Sequence, residues 1–188
     1  LDQRQLRAIL AVHTGVLVLD QAYVEFGGFN ATALIQEYPN LIITRTFSKA
    51  MAGAGLRLGY MLGRPELIAE INKIKLPYNI NFFSEHVAEV LLSHTEYLRV
   101  QVKEIIDERQ RLYAFFKTMP LDNVYPSGAN FLLVRTKKKN DLFAHLVGGG
   151  ILVRDVSNYP MLENCLRISV GTVAENNALI RTIEKFFL

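Results

Sequence analysis

A lysine that follows a strand-like run is the residue of this chain best suited to covalent chemistry. Residues 41–47 are largely apolar, and Lys49 comes two residues after that run. The run predicts a strand, so the lysine should emerge at a strand end and not on a solvated helix face. An amine that is partly desolvated there loses its proton more readily and can act as a nucleophile. The pattern therefore predicts amine chemistry at Lys49.

A carboxylate and a phenol follow the preceding strand-like run. Asp20 ends the apolar run 16–19, and Tyr23 comes three residues later. A carboxylate at the end of a buried strand needs a partner, and a pyridinium N–H would serve as one. The phenol could donate a hydrogen bond to the ring oxygen of the same cofactor. Taken alone, a turn or capping role for Asp20 and a packing role for Tyr23 remain open alternatives.

Groups that suit a phosphate flank the lysine. Thr46 and Ser48 stand on either side of the strand exit, and Arg57 follows the small-residue segment 50–55. A phosphate is bound well by hydroxyl donors together with the planar fork of an arginine. If the two strands are neighbours, these groups and Lys49 would surround one cavity and hold pyridoxal phosphate as a Schiff base. The alternative is a surface lysine and an arginine in a structural ion pair.

Other ligand-binding motifs do not fit the chain. Residues 53–59 are similar to a dinucleotide fingerprint, but the last glycine is one residue late and the segment precedes a strand. Lys49 comes before the glycines, which reverses the order of a P-loop. The histidines lack metal-ligand spacing, so we predict no metal site. They are His13, His86, His94 and His145.

Composition narrows the class of protein. The 188 residues carry a net charge of +3, and the one lysine run, 137–139, has no interleaved aromatic residues, so we predict no nucleic-acid partner. No apolar stretch is long enough to span a membrane, and no signal peptide is visible. The single cysteine, Cys165, forms no intrachain disulfide and favours a reducing compartment, here the cytoplasm. The first residue is leucine, so we expect a piece of a longer protein.

Strands and helices alternate through the first part of the chain, which predicts an α/β layer structure with a mostly parallel sheet. The run 16–19 is continuous, as in strands that are covered on both faces. The segment 77–81 breaks the pattern and is predicted to be a hinge. The elements predicted before it are helix 2–12 with Asp2 as its N-cap, strand 16–19, helix 31–37, strand 41–47, strand 57–63 and a helix opened by Pro65 over 66–75.

The second part reads as a smaller α+β domain after a long helix. Ser84 is predicted to cap a helix that runs to residue 119, and because this length is unusual we expect a break near residues 93–94. The elements predicted after it are strand 130–135, helix 141–147, strand 151–154, strand 165–170 and helix 174–187. The predicted division is 1–77 (part of a large domain), 78–120 (hinge and long helix) and 121–188 (small domain).

Two arginines in the second part are candidates for substrate binding. The alternation over residues 165–171 places Arg167 on the face opposite Leu166 and Ile168. From there it could clamp a substrate carboxylate with two parallel hydrogen bonds. Arg154 is followed by Asp155, so an ion pair between these neighbours is a serious alternative. Spacing alone does not decide between binding and structural roles for either arginine.

Five segments together resemble the histidinol-phosphate aminotransferase family, which consists of fold-type I pyridoxal-phosphate enzymes. The segments are DQAY (20–23), TFSKA (46–50), GLRLGY (55–60), PYNIN (77–81) and CLRISVGT (165–172). The resemblance extends over nearly the whole chain but covers only the C-terminal part of a family member. It implies the C-terminal part of a large cofactor-binding domain, a small α+β domain after it, and a homodimer in the full-length protein.

The resemblance also implies roles for the candidate residues. Lys49 would bind the cofactor covalently and then move a proton on the substrate. The other cofactor contacts would come from Asp20 at the pyridine nitrogen, Tyr23 at the ring oxygen, and Thr46, Ser48 and Arg57 at the phosphate. Substrate would be held by Arg167 at the α-carboxylate and by Arg154 at the phosphate. The implied activity is ping-pong transamination between glutamate/2-oxoglutarate and histidinol phosphate/imidazole-acetol phosphate in histidine biosynthesis.

Two departures from the family pattern accompany this resemblance. Gln21 stands where the family usually has glutamate, with no necessary chemistry lost. The family's preceding segment, which supplies a glycine-rich phosphate cradle and a stacking aromatic, is absent, so we expect the chain alone to lack part of the pocket. The alternatives are a threonine-phosphate decarboxylase or an aromatic amino-acid aminotransferase of the same fold. An alternative of another class is a catalytically silent or dimerising fragment.

Overall fold

The computed structural model describes residues 1–188, and two units, Leu1–Val100 and Gln101–Leu188, can be distinguished in it. The first unit has these elements: α1 Gln3–Val12, β1 Leu17–Asp20, 3₁₀ turns Val24–Phe26 and Thr32–Gln36, β2 Leu41–Thr46, the 3₁₀ turn Ala54–Leu56, β3 Gly59–Leu62, α2 Pro65–Asn72 and α3 Phe82–Ser93. A capping box at Asp2 starts α1, as predicted. The predicted division at residues 77 and 120 stays a prediction.

The sheet of the first unit has the order β1-β2-β3. β1 runs parallel to β2 with Asp20 opposite Thr44, whereas β3 is antiparallel to β2. The prediction that run 16–19 is covered on both faces is wrong for this chain, because β1 lies at the edge of the sheet. Val16 is 52% exposed and Val18 is 58% exposed. The other face of the sheet packs on a core that includes Leu6, Leu10, Leu34, Leu41 and Ile43.

The helices of the first unit follow the predicted order with three corrections. Residues 32–36 form a 3₁₀ helix instead of an α-helix, because Pro39 follows closely and the turn is closed by i→i+3 bonds. Pro65 occupies the first turn of α2, as predicted, but the helix ends at residue 72. Asn81, and not Ser84, caps α3: its side-chain oxygen accepts a hydrogen bond from the Ser84 amide at 2.9 Å.

The long helix is interrupted where the sequence predicts a break. α3 ends at Ser93, and α4 spans Thr95–Thr118. Between them His94 has non-helical backbone angles, and its Nδ1 is 2.8 Å from the Val90 carbonyl oxygen. The described helices include none that is long and apolar enough to cross a membrane.

The second unit contains an antiparallel sheet of order β4-β5-β7-β6 with helices on its buried face. Its elements after α4 are β4 Asn123–Tyr125, β5 Phe131–Arg135, α5 Lys139–Gly148, β6 Arg154–Asp155, β7 Cys165–Ser169 and α6 Val173–Phe187. Sequence analysis missed β4, which has only three residues. Strand 151–154 is wrong in extent, because the Ile151 amide bonds to the Leu146 carbonyl and closes α5 instead.

Gly59 allows β2 and β3 to approach each other closely near Lys49, the predicted nucleophile. A Cβ atom at this position would lie 2.8 Å from the carbonyl oxygen of Arg45, which is backbone and cannot rotate away. We expect Gly59→Ala to destabilise the protein by about 1–3 kcal/mol, as overpacking does. Gly55→Ala is the matched control, because a Cβ there would meet no atom within 4 Å. Thermal unfolding followed by circular dichroism measures both; equal effects of the two variants would contradict the packing argument.

Candidate active site

A cavity of about 470 Å³ opens at the carboxyl ends of β1 and β2. Parallel strands present these ends at the same edge of a sheet, which is where ligands bind in α/β structures. Five of the six predicted cofactor residues line the cavity, and they supply a carboxylate, two hydroxyls, an amine and a guanidinium. They are Asp20, Thr46, Ser48, Lys49 and Arg57; the other lining residues are Ala22, Thr44, Arg45, Leu58 and Gly59.

Tyr23, the sixth predicted residue, lies beside the lysine. The Lys49 Nζ atom is 5.2 Å from the centroid of the Tyr23 ring, within the range of a cation–π interaction. The structure therefore brings the phenol and the amine together, although Tyr23 is not among the cavity-lining residues.

Lys49 and Asp20 are both exposed, and this corrects two expectations. The sequence predicted a partly desolvated amine and a carboxylate at the end of a buried strand. Within this chain neither group is buried, because β1 forms the sheet edge and Lys49 stands in the turn that follows β2. The carboxylate is oriented locally: Asp20 Oδ1 accepts a hydrogen bond from the Ala22 amide at 2.9 Å.

The two predicted hydroxyls lie on the strand exit itself. The Thr46 hydroxyl accepts a hydrogen bond from the Ser48 amide at 3.0 Å and approaches the Leu58 carbonyl oxygen at 3.4 Å. These contacts tie the turn after β2 to the segment that leads into β3. Because this turn carries Lys49, they also limit where the amine can lie.

The sequence predicted that Arg57 begins a strand. In the structure Arg57 lies instead at the end of the 3₁₀ turn Ala54–Leu56. Its φ is +53°, in the left-handed region, which costs a non-glycine residue about 1 kcal/mol or more. Its Nη1 donates to the Ala54 carbonyl at 2.9 Å. The preceding carbonyl, of Leu56, accepts a hydrogen bond from the buried Ser84 hydroxyl at 2.7 Å. A strained backbone is thus held in place beside the cavity.

The donor set of this cavity fits pyridoxal phosphate. An amine can bind the cofactor's aldehyde carbon, a carboxylate can pair with its ring nitrogen, and a guanidinium with hydroxyls can bind its phosphate. The described residues include no group of three or more histidine, cysteine, aspartate or glutamate side chains that could hold a metal ion.

Several residues that shape the cavity are not predicted by the sequence patterns. Arg45 lines it directly and donates a hydrogen bond to the Gln21 side chain at 3.1 Å. Ser84 and Asn81 hold the segment before Arg57 through the Leu56 carbonyl and a mutual hydrogen bond of 2.8 Å. The position of Arg45 between two threonines near the strand exit was the only available signal. The hydrogen bond from Ser84 to the Leu56 carbonyl spans 28 residues and leaves no local pattern.

The two candidate substrate arginines lie next to each other in the second unit. Arg154 on β6 is the Cα partner of Arg167 on β7. Arg167 is half-buried and opposite the buried Leu166 and Ile168, as the alternation predicted. Its guanidinium carbon lies 5.1 Å from the Phe131 ring centroid. The arrangement concentrates positive charge on one face of the small sheet.

Asp155 does not neutralise its neighbour Arg154, so the proposed ion pair between them is wrong. Asp155 bonds to Lys139 instead, with 2.5 Å between Nζ and Oδ2, and also accepts a hydrogen bond from the Ser157 amide. Hydrogen bonds from Lys139 and Ser157 lower the pKa of the Asp155 carboxyl to about 2. Arg154 is therefore left exposed without that counter-charge.

Comparisons with known proteins agree in one family. The model of the family described as "Aminotransferase class I and II" matches residues 1–183. Histidinol-phosphate aminotransferase from Flavobacterium psychrophilum is 40% identical over 185 residues, which are 97% of this chain and 53% of the relative. Histidinol-phosphate aminotransferase 1 from Carboxydothermus hydrogenoformans is 44% identical over 183 residues, which are 97% of this chain and 51% of the relative. The chain thus spans about half the length of these relatives.

Solved structures show the same fold. Histidinol-phosphate aminotransferase from Clostridium acetobutylicum matches with a TM-score of 0.90 and 25% identity, over 99% of this chain and 59% of that chain. The enzyme of that name from Sinorhizobium meliloti, solved with pyridoxal 5′-phosphate, matches with a TM-score of 0.84 and 28% identity, over 99% of this chain and 54% of that chain. L-threonine-O-3-phosphate decarboxylase from Porphyromonas gingivalis matches with a TM-score of 0.85 and 26% identity, over 99% of this chain and 59% of that chain.

Proposed function

The chain belongs to the class I and II aminotransferase family, and from that premise we propose that it forms the lysine-bearing part of a pyridoxal-phosphate-dependent histidinol-phosphate aminotransferase. In the proposed reaction, glutamate gives its amino group to imidazole-acetol phosphate, which yields 2-oxoglutarate and histidinol phosphate in histidine biosynthesis. The observation that carries the proposal is the single cavity shared by Asp20, Lys49 and Arg57. The names of the relatives, at about 40% identity, support the choice of substrate.

Each cavity residue has a distinct proposed task. Pyridoxal phosphate, when bound, supplies an electron sink for the charge that develops at the substrate's α carbon. Lys49 would anchor the cofactor through Nζ and then take and return the proton of the α carbon. Asp20 would keep the ring nitrogen protonated, and Tyr23 would donate to the ring oxygen.

The remaining residues would bind and orient. Thr46, Ser48 and Arg57 would hold the cofactor phosphate by hydroxyl donors and a guanidinium. Arg167 would bind the α-carboxylate of glutamate, and Arg154 the phosphate of histidinol phosphate. The exposure of Arg154 and the engagement of Asp155 by Lys139 support its availability for an anion.

Borohydride reduction in the presence of pyridoxal phosphate tests the proposal. Reduction fixes any covalent link between a protein amine and the cofactor as a stable secondary amine. We expect the intact mass to increase by one pyridoxyl group, and peptide mapping to place that group on Lys49. Labelling spread over several exposed lysines, or no labelling, would contradict the proposal and favour a catalytically silent or dimerising fragment.

Arg154 should matter for the phosphorylated substrate and not for glutamate. We expect Arg154→Ala in the full-length protein to raise the KM for histidinol phosphate about tenfold to a hundredfold, as loss of a charge-assisted hydrogen bond does. The KM for glutamate should stay within about twofold of the original value, because glutamate has no phosphate. Steady-state kinetics measures the split in the two directions of the reaction, with histidinol phosphate varied against 2-oxoglutarate and glutamate varied against imidazole-acetol phosphate. An equal increase for both substrates would contradict the assignment.

Decarboxylation of threonine phosphate is a second candidate, and the similarity to the solved L-threonine-O-3-phosphate decarboxylase favours it. Arg154 would bind the phosphate in both reactions, so the pocket chemistry of this chain does not separate them. Release of carbon dioxide from threonine phosphate, without transfer of an amino group to 2-oxoglutarate, would select this candidate over transamination.

Assembly and location are also proposed. We propose a homodimer in the full-length protein, and the exposed aromatic side chains of Phe82 and Phe83 support a protein contact there. We propose the cytoplasm as the compartment, which the single buried cysteine, Cys165, supports. Residues 1–77 would be part of a large cofactor-binding domain, residues 78–120 the hinge and long helix, and residues 121–188 the small domain.

A further inference from the structure

Arg45 lines the cavity and is held by neutral oxygen atoms alone. Its Nη2 donates to Gln21 Oε1 at 3.1 Å, to Asn30 Oδ1 at 2.7 Å and to Thr32 Oγ1 at 3.2 Å. None of the ion pairs in the described chain includes Arg45. Its buried Nε atom has no hydrogen-bond partner. A buried N–H group without a hydrogen-bond partner costs free energy, so stability alone does not explain a guanidinium at this place.

Gln21 connects Arg45 to the neighbouring carboxylate. The Gln21 residue is 8% exposed, and both ends of its side-chain amide are engaged: Oε1 accepts from Arg45, and Nε2 donates to the Phe29 carbonyl at 2.7 Å. Its backbone amide donates to the Thr44 carbonyl at 2.9 Å. Hydrogen bonds of the Gln21 backbone and of its side chain therefore fix the chain immediately after Asp20.

The Asp20 carboxylate depends on these hydrogen bonds for its direction. Its one hydrogen bond within the described chain comes from the amide of Ala22, two residues on, so no distant element orients it. If Gln21 shifts, Asp20 and Ala22 shift with it and the carboxylate turns away from the cavity. Arg45 adds a second link between Gln21 and the loop containing Phe29 and Asn30, beside the direct hydrogen bond from Gln21 to Phe29, and it fixes the Oε1 end of the Gln21 amide against this movement.

We propose that Arg45 is a positioning residue that acts through Gln21 to aim the carboxylate of Asp20 into the cavity. This inference rests on the proposed function, in which that carboxylate pairs with the ring nitrogen of pyridoxal phosphate. Arg45 touches neither substrate nor cofactor in this scheme. Its contribution is the fixed direction of a neighbouring charge.

Titration of pyridoxal phosphate into the full-length protein and its variants tests the inference. Arg45→Met removes the guanidinium and keeps the stem, and Gln21→Met removes the link without changing charge. We expect each to weaken cofactor affinity about tenfold, as loss of a charged hydrogen bond does. Because the two residues act in series, the double variant should lose no more than the weaker-binding single variant. Thr32→Val removes the 3.2 Å contact with Arg45 and the hydrogen bond from the Thr32 hydroxyl to Asn30, but it leaves the bond between Arg45 and Gln21 intact, so it should change affinity less than threefold.

A second readout separates positioning from general stability. The pH at which the visible absorption of the bound cofactor changes should shift in Arg45→Met and Gln21→Met, because that absorption responds to the charge beside the ring. Arg45→Lys, which keeps the positive charge but not the planar fork, should show the same shift.

Three outcomes would overturn the inference. The first is an unchanged cofactor affinity and an unchanged pH transition in folded Arg45→Met. The second is a double variant whose loss of affinity equals the product of the two single losses. The third is an Arg45→Lys variant that keeps the affinity and the pH transition of the unmodified protein. If Arg45→Met does not fold, an unchanged affinity in Gln21→Met overturns it instead. Failure of the unmodified protein to bind pyridoxal phosphate is a different result, since it rejects the proposed function itself.

Discussion

Lys49→Ala should abolish attachment of pyridoxal phosphate and reduce aminotransferase activity by at least about a thousandfold. The variant removes the only amine among the cavity-lining residues, and with it both the proposed anchor and the group that moves the α-carbon proton. Proton transfer by a positioned side chain alone is worth roughly 10²–10⁴-fold in rate. Folding should be unaffected, because Lys49 is exposed and makes no ion pair in the described chain.

The measurement combines single-turnover kinetics with intact mass after borohydride reduction. Lys73→Ala serves as the matched control, because it removes an exposed lysine of the same unit that pairs only with Glu70. The control should keep both the pyridoxyl group and the activity. If Lys49→Ala still gained one pyridoxyl group, the anchor would be another lysine and the reading of this cavity would fail.

Asp20→Asn should have the second largest effect. Asparagine keeps a side-chain oxygen that can accept from the Ala22 amide, so the local turn survives. It removes the negative charge that would keep the ring nitrogen protonated, and electrostatic stabilisation of this kind is worth about 10²–10³-fold in rate. We therefore expect activity to fall by roughly that factor while the protein still binds the cofactor at Lys49.

Two comparisons sharpen the Asp20 experiment. Asp20→Glu restores the charge but displaces it by one methylene, so we expect intermediate activity. Glu25→Gln removes a nearby carboxylate that does not line the cavity, and it should leave activity within about twofold. Equal activity of Asp20→Asn and the unmodified protein would mean that the carboxylate has a structural role alone.

Local patterns in the sequence were sufficient to predict the convergence of the cavity residues. The apolar run before Lys49 forms β2, and Asp20 ends the neighbouring β1, so two short-range signals and one parallel pairing bring the groups together. The alternation around Arg167 likewise predicts its face on β7. Signals of this kind succeed because strand period and strand ends are properties of a few consecutive residues.

The features that the sequence did not predict depend on distant contacts. The exposure of Val18 follows from the place of β1 at the sheet edge, and strand order is not encoded in the strand itself. The left-handed backbone of Arg57 is stabilised partly through Ser84, which lies 27 residues later. The hydrogen bonds of Arg45 span 13 to 24 residues. No periodicity or spacing rule connects such positions.

At Arg57, thermal stability and the proposed binding of phosphate favour different residues. Glycine adopts a φ of +53° at no steric cost, so Arg57→Gly would relax this turn while deleting the guanidinium that we propose binds the cofactor phosphate. If Arg57 binds the cofactor phosphate as proposed, selection of variants for thermal stability alone would favour glycine here at the expense of activity. Arginine occupies a backbone conformation that glycine would adopt more easily. The φ angle of this residue is therefore the place where stability and the proposed catalytic turnover make opposing demands.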